Sequence, residues 1–288
     1  MSLLSHIHVL NLAVNVPGPV AGAMLRDMGA RVTKIEPPAG DPLAALSPEW
    51  YAQLVSDMQV SRVDLKDGDQ RSSLEPRLAA ADLLITATRP AALERLGLDW
   101  PGLHDRHPRL CVVGIVGYPA PRQDVAGHDL TYQAEEGLLS PPAMPRALIS
   151  DFAGAQRAVI AALGLIVARS RTGVGGRAEV SLSESARFFA EPASRGITAQ
   201  DAILGGRLPS YNLYPAREGW VAVAALEPHF ATRLERHMGV NVSDRNVLAF
   251  AFMERTATEW QAWAESLDLP IVAVKGCGDG SGLEPGQS

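Results

Sequence analysis

Apolar and polar positions along this chain switch repeatedly between a strand rhythm and a helix rhythm. HVLNLA (8–13) is a short apolar run of the kind a buried strand shows. Pro17, Gly18 and Pro19 break it, and VAGAMLRDM (20–28) then supplies helix formers, with Gly29 where a C-terminal cap glycine belongs. RVTKIE (31–36) alternates, is β-branched and ends at Pro37 and Pro38. A strand, a crossover helix and a second strand predict a right-handed parallel βαβ unit. DLLIT (82–86) and RLCVVGIVG (109–117) read as further buried strands, and 90–97 and 152–169 as helices. In the longer helix Ala155, Val159, Ala162, Leu163 and Ile166 share one face. A glycine-rich turn, SRTGVGGR (170–177), leads to a strand at 178–182 and a helix at 183–191. The alternation predicts the α/β class, with a doubly wound domain built on a mainly parallel sheet.

After about residue 195 the elements shorten: a strand at 220–226, an amphipathic helix at 228–239 and a short helix at 256–266. The expected organisation is a large domain over 1–192, a smaller α+β domain over 193–275 and a flexible tail over 276–288, rich in Gly and Ser.

Composition narrows the function classes. The 288 residues are 47% hydrophobic and 20% charged, enough apolar material for a sizeable core. The net charge of −6 carries no basic excess, which argues against a general nucleic-acid or membrane-surface binder. Lys34, Lys66 and Lys275 are the lysines, so nearly all positive charge is arginine. Cys111 and Cys277 stand far apart with no CxxC pair, so neither a disulfide scaffold nor a metal site is indicated. His6, His8, Asn11, Asn15 and Pro17 interrupt the first apolar stretch, unlike a signal peptide, and no run of 18 apolar residues occurs. The expected location is the cytoplasm.

Four places could carry chemistry. NVPGPVAG (15–22) joins a strand to a helix at the carboxyl edge of the sheet, where open α/β folds bind ligands. Gly18 and Gly22 do not make GxGxxG, so Glu36 at the end of the second strand is either an isolated ribose-binding acid or simply a solvated one. Asp151 directly precedes the long helix. It is either a cap or first-turn acid accepting backbone N–H bonds, or a cleft carboxylate acting as nucleophile or proton-transfer base. His128, in GHDLTY (127–132), is either a solvated loop histidine or, with partners, a general base. Glu227 before Pro228 reads as an acid at a helix start.

Taken together, VLNLAVNVPGPVAGAMLRDMGARVTKIEPPAGDPL (9–43), RPAALERLGLDW (89–100), GHDLTY, DFAGAQRAVIAALGLIVARSRTGVGGRAEVSL (151–182) and ALEPHF (225–230) resemble the class III CoA-transferase family. That family includes the α-methylacyl-CoA racemases, and these motifs are most similar to that branch. The resemblance implies a Rossmann-like large domain, a small domain, an acyl-CoA substrate, no prosthetic group, and an interlocked homodimer. It implies that Asp151 is the catalytic aspartate, which forms anhydride intermediates in the transferases. It implies also that His128 exchanges protons with Asp151 across the α-carbon in the racemases, supported by Glu227. Lys34, Glu36 and Arg89, together with Gly127 and Tyr132, fall at positions the family uses to hold CoA. The expected reaction is racemisation of a 2-methylacyl-CoA. The alternatives are CoA transfer between an acyl-CoA and a carboxylate, and a non-catalytic partner subunit. Departures are the loop YPAPRQ (118–123), the reduced segment QVSRVDLKDG (59–68), and the returning C-terminal portion, expected to be missing after Val274 and supplied by a partner.

Overall fold

In the computed structural model, which describes residues 3–276, the βαβ rhythm closes into a six-stranded parallel sheet. Its strands are β1 (His8–Asn11), β2 (Arg31–Glu36), β3 (Gln59–Arg62), β4 (Leu83–Thr86), β5 (Cys111–Val116) and β6 (Arg177–Ser181), in the order β3-β2-β1-β4-β5-β6. Period-two alternation sends Val9, Val32, Leu83, Ile85, Val113 and Ile115 to one face, under the helices Pro17–Asp27 and Ile149–Thr172. Leu10, Ile35, Leu84 and Val112 go to the other face, against Leu74, Leu78, Leu98 and Leu103. Both faces are therefore covered, as parallel sheets require. β3 escapes a reading of the sequence because it is an edge strand with no apolar run, and three of its four residues are exposed.

Two boundaries differ from expectation for identifiable reasons. Pro17 does not break the chain but starts the first helix, as proline does at the first helical position, where no N–H is needed. Gly18 lies against the preceding strand exit, and a Cβ there would stand 2.3 Å from the carbonyl oxygen of Ala13. The long helix runs Ile149–Thr172, three residues further at each end than predicted. Its inner face is Ala155, Ala158, Val159 and Ala162, small enough to let the helix lie close on β5 and β6.

A second compact unit begins at Pro192, inside the helix Leu182–Ser194. It holds a three-stranded antiparallel sheet of β7 (Tyr211–Pro215), β8 (Trp220–Ala224) and β9 (Ile271–Ala273), with β8 central. Helices Pro228–Met238, Arg245–Phe252 and Ala257–Glu265 supply Leu234, Phe252 and Trp260 to its core. Phe252 packs between Tyr214 and Trp260, with ring centroids 5.2 Å and 5.1 Å away. The Trp260 indole N–H donates to the Phe252 carbonyl at 2.8 Å, so this buried ring leaves no polar atom unsatisfied. Of the expected tail, residues 277–288 lie outside the described residues, as does Cys277; Cys111 is a buried free thiol in β5.

Candidate active site

The strand order reverses at β1, which pairs β2 on one side and β4 on the other. Ligands in open α/β sheets bind outside the carboxyl ends of the strands at such a point. A cavity of about 290 Å³ opens there, walled by Val14, Asn15 and Pro17 after β1, Ala87 and Arg89 after β4, and Ile115–Gly117 at the end of β5. Gly127, His128, Tyr132 and Asp151 also line it, as does Gln123. Five of the eight residues singled out from the sequence therefore share one cavity.

Asp151 takes the first-turn position of its sequence reading, as the third residue of the helix, but its side chain accepts no backbone N–H. That duty falls to Asp129, a residue the sequence pattern does not single out. Asp129 is buried; its Oδ1 accepts the Asp151 N–H at 3.1 Å, and Gln133 Nε2 donates to its Oδ2. Gln133 Nε2 also donates to the Ala147 carbonyl at 2.9 Å, which ties the helix Asp129–Glu135 to the approach of the long helix. Asp151 is left with its carboxyl facing the cavity and no compensating hydrogen bond. Burial first, and the negative charge of Asp129 second, push that carboxyl from 3.8 up to about 7. A carboxyl that titrates near neutrality can both take and give a proton there.

His128 is not a plain loop residue: it is the N-cap residue of the helix Asp129–Glu135. Thr131 fixes its backbone, with Oγ1 accepting the His128 N–H at 3.0 Å and donating to the His128 carbonyl at 2.8 Å. The imidazole faces the Thr131 N–H in a capping box, borders the cavity and forms no ion pair or hydrogen bond with another described side chain, so a ring nitrogen is left for a ligand. The preceding loop is anchored at Arg122, which donates to Glu135 at 3.0 Å and lies 4.0 Å over the Tyr118 ring. Tyr132 is buried beneath Gly127, and burial first raises its hydroxyl to about 12, so it stays protonated and a donor.

Glu36 lines an adjoining cavity of about 550 Å³, which shares Val14 with the first and is bordered also by Arg71, Arg95 and Lys66. Glu36 also accepts a hydrogen bond from the Tyr51 hydroxyl. Lys34 reaches neither cavity, contrary to its expected place beside CoA. Its ammonium is fully buried, 2.9 Å from Asp41 and 2.9 Å from the Ala13 carbonyl. Glu227 occupies the N-cap position of the helix Pro228–Met238 in the second unit, without a capping bond from its side chain. Among the described residues no three His, Cys, Asp or Glu side chains gather in a way that could hold a metal ion.

Comparison with known proteins bears on this geometry. Residues 4–279 match the family described as CoA-transferase family III. The succinyl-CoA–D-citramalate CoA-transferase of Chloroflexus aurantiacus is 28% identical over 260 residues, covering 82% of this chain and 65% of that protein. Human alpha-methylacyl-CoA racemase is also 28% identical, over 308 positions that cover 94% of this chain and 77% of its own. The chain thus spans less than two thirds of the first of these relatives and about three quarters of the second. Among solved structures, the protein Rv3272 from Mycobacterium tuberculosis shares the fold with a TM-score of 0.82 at 22% identity, covering 96% of this chain and 85% of that one.

Proposed function

Since the chain belongs to CoA-transferase family III, whose members are enzymes acting on CoA thioesters, we propose that it exchanges the α-proton of a 2-methylacyl-CoA, with Asp151 and His128 as the acid–base pair. The observation that carries this reading is that an imidazole and a carboxyl titrating near 7 line one cavity. The α-hydrogen of a thioester is weakly acidic, so its removal needs a base, and inversion needs a second group to return a proton to the opposite face. A base works best when its pKa lies near the working pH, and burial beside Asp129 brings Asp151 there.

The CoA moiety is proposed to enter as part of the substrate, through the adjoining cavity. Leu12, Ile35, Val63 and Leu96 offer an apolar bed for a purine, and Lys66, Arg71 and Arg95 offer charge for phosphates. No prosthetic group is required by this chemistry.

A second reading is favoured by the transferase names among the relatives, which include (R)-2-hydroxy-4-methylpentanoate CoA-transferase of Clostridioides difficile. In it Asp151 attacks the thioester carbonyl, CoA leaves as its thiolate, and an acyl anhydride forms on the aspartate. The two readings separate cleanly. Incubating one epimer of a 2-methylacyl-CoA and resolving the products gives both epimers under the first reading, with loss in Asp151→Asn and in His128→Ala. Hydroxylamine trapping of an acyl group on Asp151, with retention of configuration, supports the second and rejects the first.

A further inference from the structure

Three buried polar side chains converge on the loop between β1 and the first helix, and none of them lines the cavity. Asn11 Oδ1 accepts the Ala13 N–H at 3.0 Å, and its Nδ2 donates to the Gly18 carbonyl at 2.8 Å. Lys34 donates to the Ala13 carbonyl and pairs with Asp41, both side chains having no exposed surface. Asp41 Oδ1 accepts the N–H of Asn15 at 3.0 Å and of Leu43 at 3.0 Å. A buried ion pair returns little net stability, because desolvation offsets the attraction. What this one does is fix geometry. The residue it fixes is Asn15, held at φ 62°, a left-handed conformation uncommon away from glycine and frequent at functional sites.

Asn15 lines the same cavity as His128 and Asp151. Its carboxamide is exposed and bonds no described residue, whereas the other side-chain amide lining the cavity, Gln123, already donates to Glu179 at 3.2 Å. We propose that Asn15 is a catalytic residue that donates its carboxamide N–H to the thioester carbonyl oxygen as negative charge develops there. The inference rests on the proposed reading that this cavity handles CoA thioesters. In α-proton exchange the C–H bond breaks and its proton passes to the base. Its electron pair forms the Cα–C double bond of the enolate, and the carbonyl π pair moves onto oxygen. That oxygen is what the amide meets. A donor whose backbone is already braced needs little reorganisation at that moment, which is when such donors are most effective. Removal of one such donor costs about 10²- to 10³-fold in kcat in enzymes where it has been tested.

Two variants separate this role from a merely conformational one. Asn15→Gly keeps the left-handed backbone and removes the amide. Asn15→Asp also tolerates that backbone but presents acceptor oxygens alone. A turn role leaves Gly equal to or better than wild type and Asp close to it. The proposal expects kcat for α-proton exchange to fall about 10²-fold in Asn15→Gly and further in Asn15→Asp, with KM for the acyl-CoA within about threefold and no loss of melting temperature in the Gly variant. Wild-type kcat in either variant, or a loss confined to KM, overturns the proposal while leaving the acyl-CoA reading intact. A wild-type protein that neither exchanges nor transfers any acyl group from a panel of acyl-CoAs overturns the reading and this proposal together.

Discussion

Replacing Asp129 by asparagine tests the electrostatics of the site without dismantling it. The introduced carboxamide retains an oxygen for the Asp151 N–H. Gln133, whose Oε1 has no partner, can turn its own carboxamide to accept from the new amide, at the expense of its bond to Ala147. What is lost is one negative charge. The move of the Asp151 carboxyl from 3.8 to about 7 corresponds, at ~1.4 kcal/mol per pH unit, to about 4 kcal/mol against the carboxylate. Burial is the larger cause and Asp129 the smaller, so the charge accounts for less than half, on the order of 1–2 kcal/mol or about one pH unit. The assay is the pH dependence of kcat/KM, which reports the free enzyme. The limb on which activity rises with deprotonation of Asp151 should lie near pH 7 in wild type and about one pH unit lower in Asp129→Asn. A limb that stays in place, or moves upward, would refute the assignment of Asp129 as the charge that tunes Asp151.

The same raised carboxyl has a consequence for stability. Between about pH 4 and pH 7 the folded chain keeps a proton on Asp151 that the unfolded chain has released, so stability falls as pH rises through that window. Asp151→Asn removes this loss, and its melting temperature should exceed that of wild type at pH 8 while matching it at about pH 4; equal pH profiles would contradict the shift. Gly18→Ala drives a Cβ to 2.3 Å from the Ala13 carbonyl oxygen, and denaturant titration should show a loss of about 1–3 kcal/mol. In the second unit, Phe252→Ala empties a fully buried aromatic site and should lower unfolding stability by about 3–5 kcal/mol, read by the Trp260 fluorescence transition.

What the sequence discloses follows the range over which each signal acts. Strands β1, β2, β4, β5 and β6 are legible because they carry apolar or alternating runs, and the long helix because Ala155, Val159 and Ala162 recur at its period. β3, β7 and β9 are not, since their half-exposed residues carry no run for periodicity to detect. Asp151 and His128 are legible as chemistry, but not the reason Asp151 titrates high. Part of that reason is Asp129, brought against the Asp151 N–H across 22 residues by a bond between two helices. Lys34 misleads for a related reason. The resemblance places it beside CoA, and nothing in the local sequence shows that Asp41, at the far side of the Pro37–Pro38 turn, pairs with it in the interior.

The central claim is that Asp151 and His128 move the α-proton of an acyl-CoA, and deuterium wash-in tests it most directly. Proton NMR of a 2-methylacyl-CoA in D₂O, with no carboxylate acceptor present, should show the α-proton signal disappear with wild-type protein and persist with Asp151→Asn. Persistence of that signal with wild type, while a new acyl-CoA forms once a free carboxylate is added, would contradict the claim and leave Asp151 as a nucleophile.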